Sequence, residues 1–129
     1  MKVSVLIPVY NKAPFVREAV ESVLNGSFQD FELVCVDDKS TDNSLAVLRA
    51  INDPRIRIIE LPVNQGPAGA ANAGFDACRG EYIVRLDADD LAVPDRLAKQ
   101  VAFMDAHPEI GASGGHLQLF GARDRTWTF

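Results

Sequence analysis

The chain has 129 residues, 47% of them apolar, and a formal net charge of −5. That length and apolar share suit a globular chain with its own core and exclude a disordered one. The acidic balance argues against a nucleic-acid partner, which needs a basic patch, and no apolar run reaches the roughly 18 residues that cross a bilayer.

Val3 to Pro8 is short, apolar and β-branched, the pattern of a buried strand. Asn11 is placed to cap the next element, with Pro14 in its first turn. Val16, Ala19, Val20, Val23 and Leu24 recur at helical spacing over 13–25, and Gly26 ends that helix. Phe31 to Val36 is a second buried strand, closing on Asp37-Asp38. Ser40, Thr41 and Asp42 offer caps for a helix near 42–52, with Leu45, Leu48 and Ile51 along one side and Pro54 as its stop. Ile56 to Leu61 reads as a third strand, half-buried, and 62–67 as a turn-rich loop.

The next helix, near 67–78, is built from small residues and can approach a sheet or a ligand closely. Glu81 to Leu86 is a fourth strand, ending at Asp87-Ala88-Asp89-Asp90. Pro94 opens a further helix that buries Leu97, Val101 and Met104. Ile110 to Ala112 reads as a short strand, Gly114-Gly115 as a break, and His116 to Phe120 as another strand. The order β-α-β-α-β-α-β-α-β-β predicts an α/β fold: a mainly parallel, Rossmann-like sheet with helices on both faces, joined by right-handed crossovers. No repeat, low-complexity tract or linker interrupts it, so 1–129 reads as one domain. The apolar, strand-like Arg125-Thr126-Trp127-Thr128-Phe129 suggests a piece of a longer protein. No signal peptide opens the chain, which makes the cytoplasm the expected compartment. Cys35 and Cys78 lie in apolar surroundings outside any metal-ligand spacing and read as buried free thiols.

In an open parallel sheet, ligands bind beyond the carboxyl ends of the strands. Polar groups follow three of those ends: Tyr10-Asn11, Asp37-Asp38 and Asp87-Ala88-Asp89-Asp90. The last places three carboxylates in four residues. Either they bind a hard divalent cation, Mg²⁺ or Mn²⁺, which removes their repulsion, or they form a solvated turn that caps the next helix. Asp37-Asp38 can accept hydrogen bonds from a base or a ribose, or serve as an Asx-turn. Tyr10 can stack on a base or sit half-buried in the core. Asn64-Gln65-Gly66-Pro67 leads into a helix N-terminus whose N–H groups suit a phosphate. His107 fits a capping charge at a helix end, and His116 is either a lone ligand or a bystander. GxGxxG after strand one, a P-loop and a GxSxG elbow are all missing.

Together these segments resemble the family 2 inverting glycosyltransferases of GT-A fold. Residues 3–11 are similar to the family's opening strand, and 31–42 to its second strand and acidic turn. Asn64-Gln65-Gly66, Ala71-Asn72-Ala73-Gly74 and Gly80-Glu81-Tyr82-Ile83 follow in the family's order, and Asp87-Ala88-Asp89 matches its DxD motif. The resemblance implies a nucleotide pocket of Pro8, Tyr10, Asp38, Gly66 and Asp87. It implies metal ligation (Mn²⁺ or Mg²⁺) by Asp89 with Asp87, while Asp90 supports the motif. The donor would be a UDP-, dTDP- or GDP-sugar, the acceptor a glycan or lipid-linked hydroxyl, and the full-length protein a peripheral partner of the membrane's inner face. The family often carries an Arg before the Asn of the middle helix; Ala71 stands there, so that contact is not carried over. The catalytic carboxylate base is expected beyond residue 129. Two other readings are a nucleotide-binding module without turnover and a receiver-like Mg²⁺ domain. The latter wants an Asp after a middle strand, whereas the third strand ends Ile59-Glu60-Leu61-Pro62.

Overall fold

The computed structural model describes residues 1–114 and the backbone of two short strands, 117–119 and 125–127. The chain divides into two compact units, Met1–Leu97 and Ala98–Phe129. The elements run β1 (Val3–Val9), α1 (Val16–Leu24), β2 (Phe31–Asp37), α2 (Ser44–Ala50), β3 (Ile56–Glu60), α3 (Gly66–Ala77), β4 (Tyr82–Arg85), α4 (Arg96–Ala106), β5 (Leu117–Leu119) and β6 (Arg125–Trp127). In the first unit β1 to β4 form one sheet in the order β3-β2-β1-β4, with every neighbouring pair parallel. In the second, β5 and β6 pair antiparallel, with Leu117 opposite Trp127. Among the described residues no helix is long and apolar enough to cross a membrane.

The two central strands explain the continuous apolar runs of the sequence. All of β2 is buried, and in β1 only Pro8 is not. Strands covered on both faces lose the polar alternation of half-exposed ones. Successive side chains point to opposite faces. On one face Leu6, Val34 and Val36 meet Leu61 and Ala70, with Ala73 and Ala77 packed beside them. Small residues let α3 lie against this face: a Cβ at Gly74 would come within 2.1 Å of Leu6 Cδ1. On the other face Val5, Ile7, Leu33 and Cys35 are as fully buried. Burial of each such aliphatic side chain contributes about 1.5–3 kcal/mol.

Two polar residues interrupt the strands at the end opposite the acidic turns, and they hold four elements together. Glu32 is 2% exposed and Ser4 fully buried. Ser4 Oγ donates to Glu32 Oε2 (2.5 Å), Arg79 N–H donates to the same oxygen (2.7 Å), and Arg57 Nη1 donates to Oε1 (2.6 Å). Gly80 N–H donates to Ser4 Oγ (2.7 Å). The chain passes so close there that a Cβ on Gly80 would sit 2.4 Å from Ser4 N. β1, β2, β3 and the entry to β4 are thereby held in register.

Some local expectations need correction. Asn11 does not cap α1: the helix begins at Val16 with Phe15 at its N-cap and no side-chain cap bond. α2 starts from Asn43, and Asp42 serves it from one residue earlier by accepting the Ser44 N–H (2.9 Å). Ile110 to Ala112 is not a strand. Cys35 is buried, but Cys78, at the end of α3, is only partly so. His116 lies outside the described residues. His107 does sit at a helix end, its Nδ1 2.8 Å from the Phe103 carbonyl and its ring stacked on Phe103.

Candidate functional site

The strand order places the site. From β1 the chain winds outward through β2 to β3, then crosses back to put β4 on the other side of β1. The direction of winding reverses between β1 and β4, the kind of switch point where open α/β sheets bind ligands. The loop after β1 is therefore flanked by the acidic turns that end β2 and β4.

That loop is held mainly by Asn11. Its backbone is left-handed (φ 51°), a conformation Asn tolerates better than most residues. The Asn11 N–H donates to Ser40 Oγ (3.1 Å) and its Nδ2 to Thr41 Oγ1 (3.1 Å). Its Oδ1 accepts the N–H groups of Thr41 (2.8 Å) and Asp42 (3.2 Å). The Ala13 N–H donates to Asp42 Oδ2 (3.2 Å), and the Lys12 N–H to Ser44 Oγ (2.8 Å). One short polar side chain thus ties the end of β1 to the loop after β2. Asn11 is thus not a helix cap; Asn directly after a strand is the sequence signal for such a left-handed turn.

On the β2 side, Asp38 is buried and its N–H donates to the Val9 carbonyl (2.9 Å). Its Oδ1 accepts the Gln65 N–H (2.7 Å) and its Oδ2 the Asn64 Nδ2 (3.2 Å). Asp38 therefore anchors the 64–66 loop, a duty not expected from sequence, and a carboxylate retains further lone pairs for a ligand donor. Gly66 follows with φ 80° and nothing within 4 Å of the place a Cβ would take, so the backbone there is left-handed and open. Tyr10 is exposed and Pro8 half-buried at the end of β1. Beside Asp38, Asp37 accepts the Ser40 N–H through Oδ2 (3.3 Å), while its buried Oδ1 has no partner among the described residues.

On the β4 side, Leu86 N–H donates to the Leu6 carbonyl (3.0 Å), carrying the strand pattern to the edge of the turn. Leu86 and Ala88 are buried while Asp87 and Asp89 are exposed. The Asp90 N–H closes the turn on the Asp87 carbonyl (3.1 Å) and brings Asp90 round to the same side. Carboxylate oxygens of Asp87, Asp89 and Asp90 all lie within 4.8 Å of one another. Burial, and then the charges of Asp87 and Asp89, push the Asp90 carboxyl above the usual range, against the pull of Arg96. Arg85 Nε stands 3.8 Å from Asp87 Oδ1, and Lys12 Nζ 3.2 Å from Asp89 Oδ2. Hard oxygen donors this close, with mutual repulsion to relieve, fit a divalent cation such as Mg²⁺ or Mn²⁺. Asp90 lies within the same 4.8 Å cluster as Asp87 and Asp89.

An open α/β sheet with an acidic turn at its switch point presents that turn where domains of this class bind their ligands. The chain belongs to the family described as glycosyl transferase family 2, whose model matches residues 4–128. A curated relative, an uncharacterized glycosyltransferase of Haemophilus influenzae, is 41% identical over 104 residues, covering 79% of this chain and 42% of its own length. S. aureus TarS, solved as residues 1–349 in complex with UDP-GlcNAc, superimposes with a TM-score of 0.79 at 32% identity, over 84% of this chain and 32% of that one. A mannosyltransferase from Pyrobaculum calidifontis, in complex with GDP-Man and Mn²⁺, superimposes with a TM-score of 0.75 at 31% identity, over 80% of this chain and 32% of its own. The chain thus spans less than half the length of each. The fold is the nucleotide-binding part of the GT-A type.

Proposed function

We propose that this chain is the donor-binding part of a metal-dependent, inverting glycosyltransferase, which takes a nucleoside diphosphate sugar and passes the sugar to the hydroxyl of a glycan or lipid-linked acceptor. The observation that carries the reading is the convergence of three carboxylates within 4.8 Å at the switch point, beside the loop of Tyr10 and Asn11. Asp89 and Asp87, assisted by Asp90, hold Mn²⁺ or Mg²⁺. A cation there supplies charge stabilisation for the departing nucleoside diphosphate. Asp38 accepts hydrogen bonds from the base, Tyr10 and Pro8 line the same pocket, and Gly66 lets backbone approach the ligand. UDP-, dTDP- and GDP-sugars all present N–H groups that a carboxylate can accept. The similar structures carry UDP-GlcNAc in one case and GDP-Man with Mn²⁺ in the other.

The test is calorimetric titration of UDP, dTDP and GDP with Mn²⁺, with Mg²⁺ and with EDTA, on the wild type and Asp89→Ala. One nucleotide should bind only with metal, and Asp89→Ala should abolish that binding. Equal binding in EDTA, or binding indifferent to Asp89→Ala, refutes the reading.

A further inference from the structure

Lys12 occupies a position that a cation on Asp89 and the phosphates of a donor would both affect. Its backbone is fixed: the N–H donates to Ser44 Oγ, and its carbonyl accepts the Phe15 and Val16 N–H groups, both at 2.9 Å. What can move is the four-carbon stem, and its ammonium reaches Asp89 Oδ2 at 3.2 Å. Both side chains are well exposed, 39% for Lys12 and 43% for Asp89. An exposed pair of this kind favours contact by at most about fivefold, so a divalent ion can displace it. The displaced ammonium then faces a cation of like sign, and it needs an anion nearby. A donor phosphate drawn to a cation on Asp89 would supply that anion near the same stem.

We propose that Lys12 couples metal binding to donor binding: its ammonium competes with the cation for Asp89 and pairs instead with the diphosphate once both ligands are present. The role rests on the donor-site reading above. It requires two effects of opposite sign. Lys12 weakens the hold on metal alone and strengthens the hold on nucleotide when metal is present. By linkage, each ligand then helps the other more than it would without the lysine. A residue that merely kept the loop folded would change both affinities in the same direction.

The experiment compares wild type, Lys12→Gln and Lys12→Arg, after thermal melts show that all three are folded. Binding of Mn²⁺ alone is followed by the electron paramagnetic resonance of the free ion. Binding of UDP and of GDP is followed by calorimetry in saturating Mn²⁺. Lys12→Gln should tighten Mn²⁺ alone by about three- to fivefold and weaken the bound nucleotide by about tenfold. Lys12→Arg, which keeps the charge, should stay near wild type in the first measurement. Affinities that shift together, or that ignore Lys12→Gln while the wild type binds both ligands, overturn the coupling and leave the donor site standing. A folded wild type that takes up neither Mn²⁺ nor nucleotide overturns both.

Discussion

Glu32 ties together strands of the sheet and takes no part in the proposed ligand chemistry. Glu32 is 2% exposed, and its carboxylate accepts from Ser4 on β1, Arg57 on β3 and the Arg79 N–H at the entry to β4. Glu32→Ala leaves the Ser4 hydroxyl short of an acceptor and the Arg57 guanidinium unpaired. Breaking a buried ion pair from one side costs about 3–5 kcal/mol. Arg57 is about one-third exposed and keeps the Ala77 carbonyl at 2.9 Å, which places the loss at the lower end, about 3 kcal/mol. For a chain of this length that is a drop of about 10 °C in melting temperature. The assay is urea unfolding of wild type, Glu32→Ala, Arg57→Ala and the double variant, with a coupling of about 1–2 kcal/mol expected from the cycle.

The same carboxylate sets an acid limit on stability. Burial alone would raise its pKa, but the Ser4 and Arg79 hydrogen bonds and the Arg57 charge outweigh it and hold the group below its ordinary 4.5. A lowered folded-state value means that Glu32 contributes stability in full above 4.5, and that this contribution fades as pH falls through the folded value. Glu32→Gln should therefore lose stability at neutral pH and show a flatter acid arm than wild type. A loss under about 1 kcal/mol in Glu32→Ala would refute the account of a buried, interlocking pair.

Two other outcomes are expected. Asn11→Ala loses the bonds to Thr41 and Asp42 yet keeps a Cβ at φ 51°, while Asn11→Gly loses the same bonds without that strain. Alanine should therefore be the less stable of the two by about 1 kcal/mol in urea unfolding, and both should bind nucleotide more weakly than wild type. Burial pushes the Cys35 thiol up to about 12, and partial burial also raises the thiol of half-buried Cys78. A thiol reagent at about pH 8 should thus modify Cys78 slowly in the folded chain and Cys35 only in denaturant.

Much of this fold was legible from periodicity alone. The short apolar runs from Val3 to Pro8 and from Phe31 to Val36 read as buried strands and are the cores of β1 and β2, and the helical recurrence of Val16, Ala19, Val20 and Val23 marked α1. The acidic turn at Asp87–Asp90 stood out because three carboxylates so close need a cation or bulk water. What misled was short-range chemistry. Asn11 and Asp42 have the side chains of helix caps, and nothing local shows that Asn11 finds its partners about 30 residues away or that the N-cap of α2 falls one residue past Asp42. Ile110 to Ala112 has strand-like composition, but a strand also needs a neighbour to pair with, and it has none among the described residues.

Local patterning, then, established the elements, their order and the three polar strand ends, because those follow from a residue's own side chain and its near neighbours. The order β3-β2-β1-β4 was a matter for the folded chain, since the crossover that reverses direction depends on which face of the sheet α3 packs against. With that order came everything that brings distant segments together. It set the loop of Asn11 and Lys12 between two acidic turns, and it enclosed Glu32 among partners from β1, β3 and the entry to β4. Hydrogen bonds and ion pairs act over a few ångströms in space, and the chain separation between Lys12 and Asp89, 77 residues, hides that proximity until the sheet is assembled.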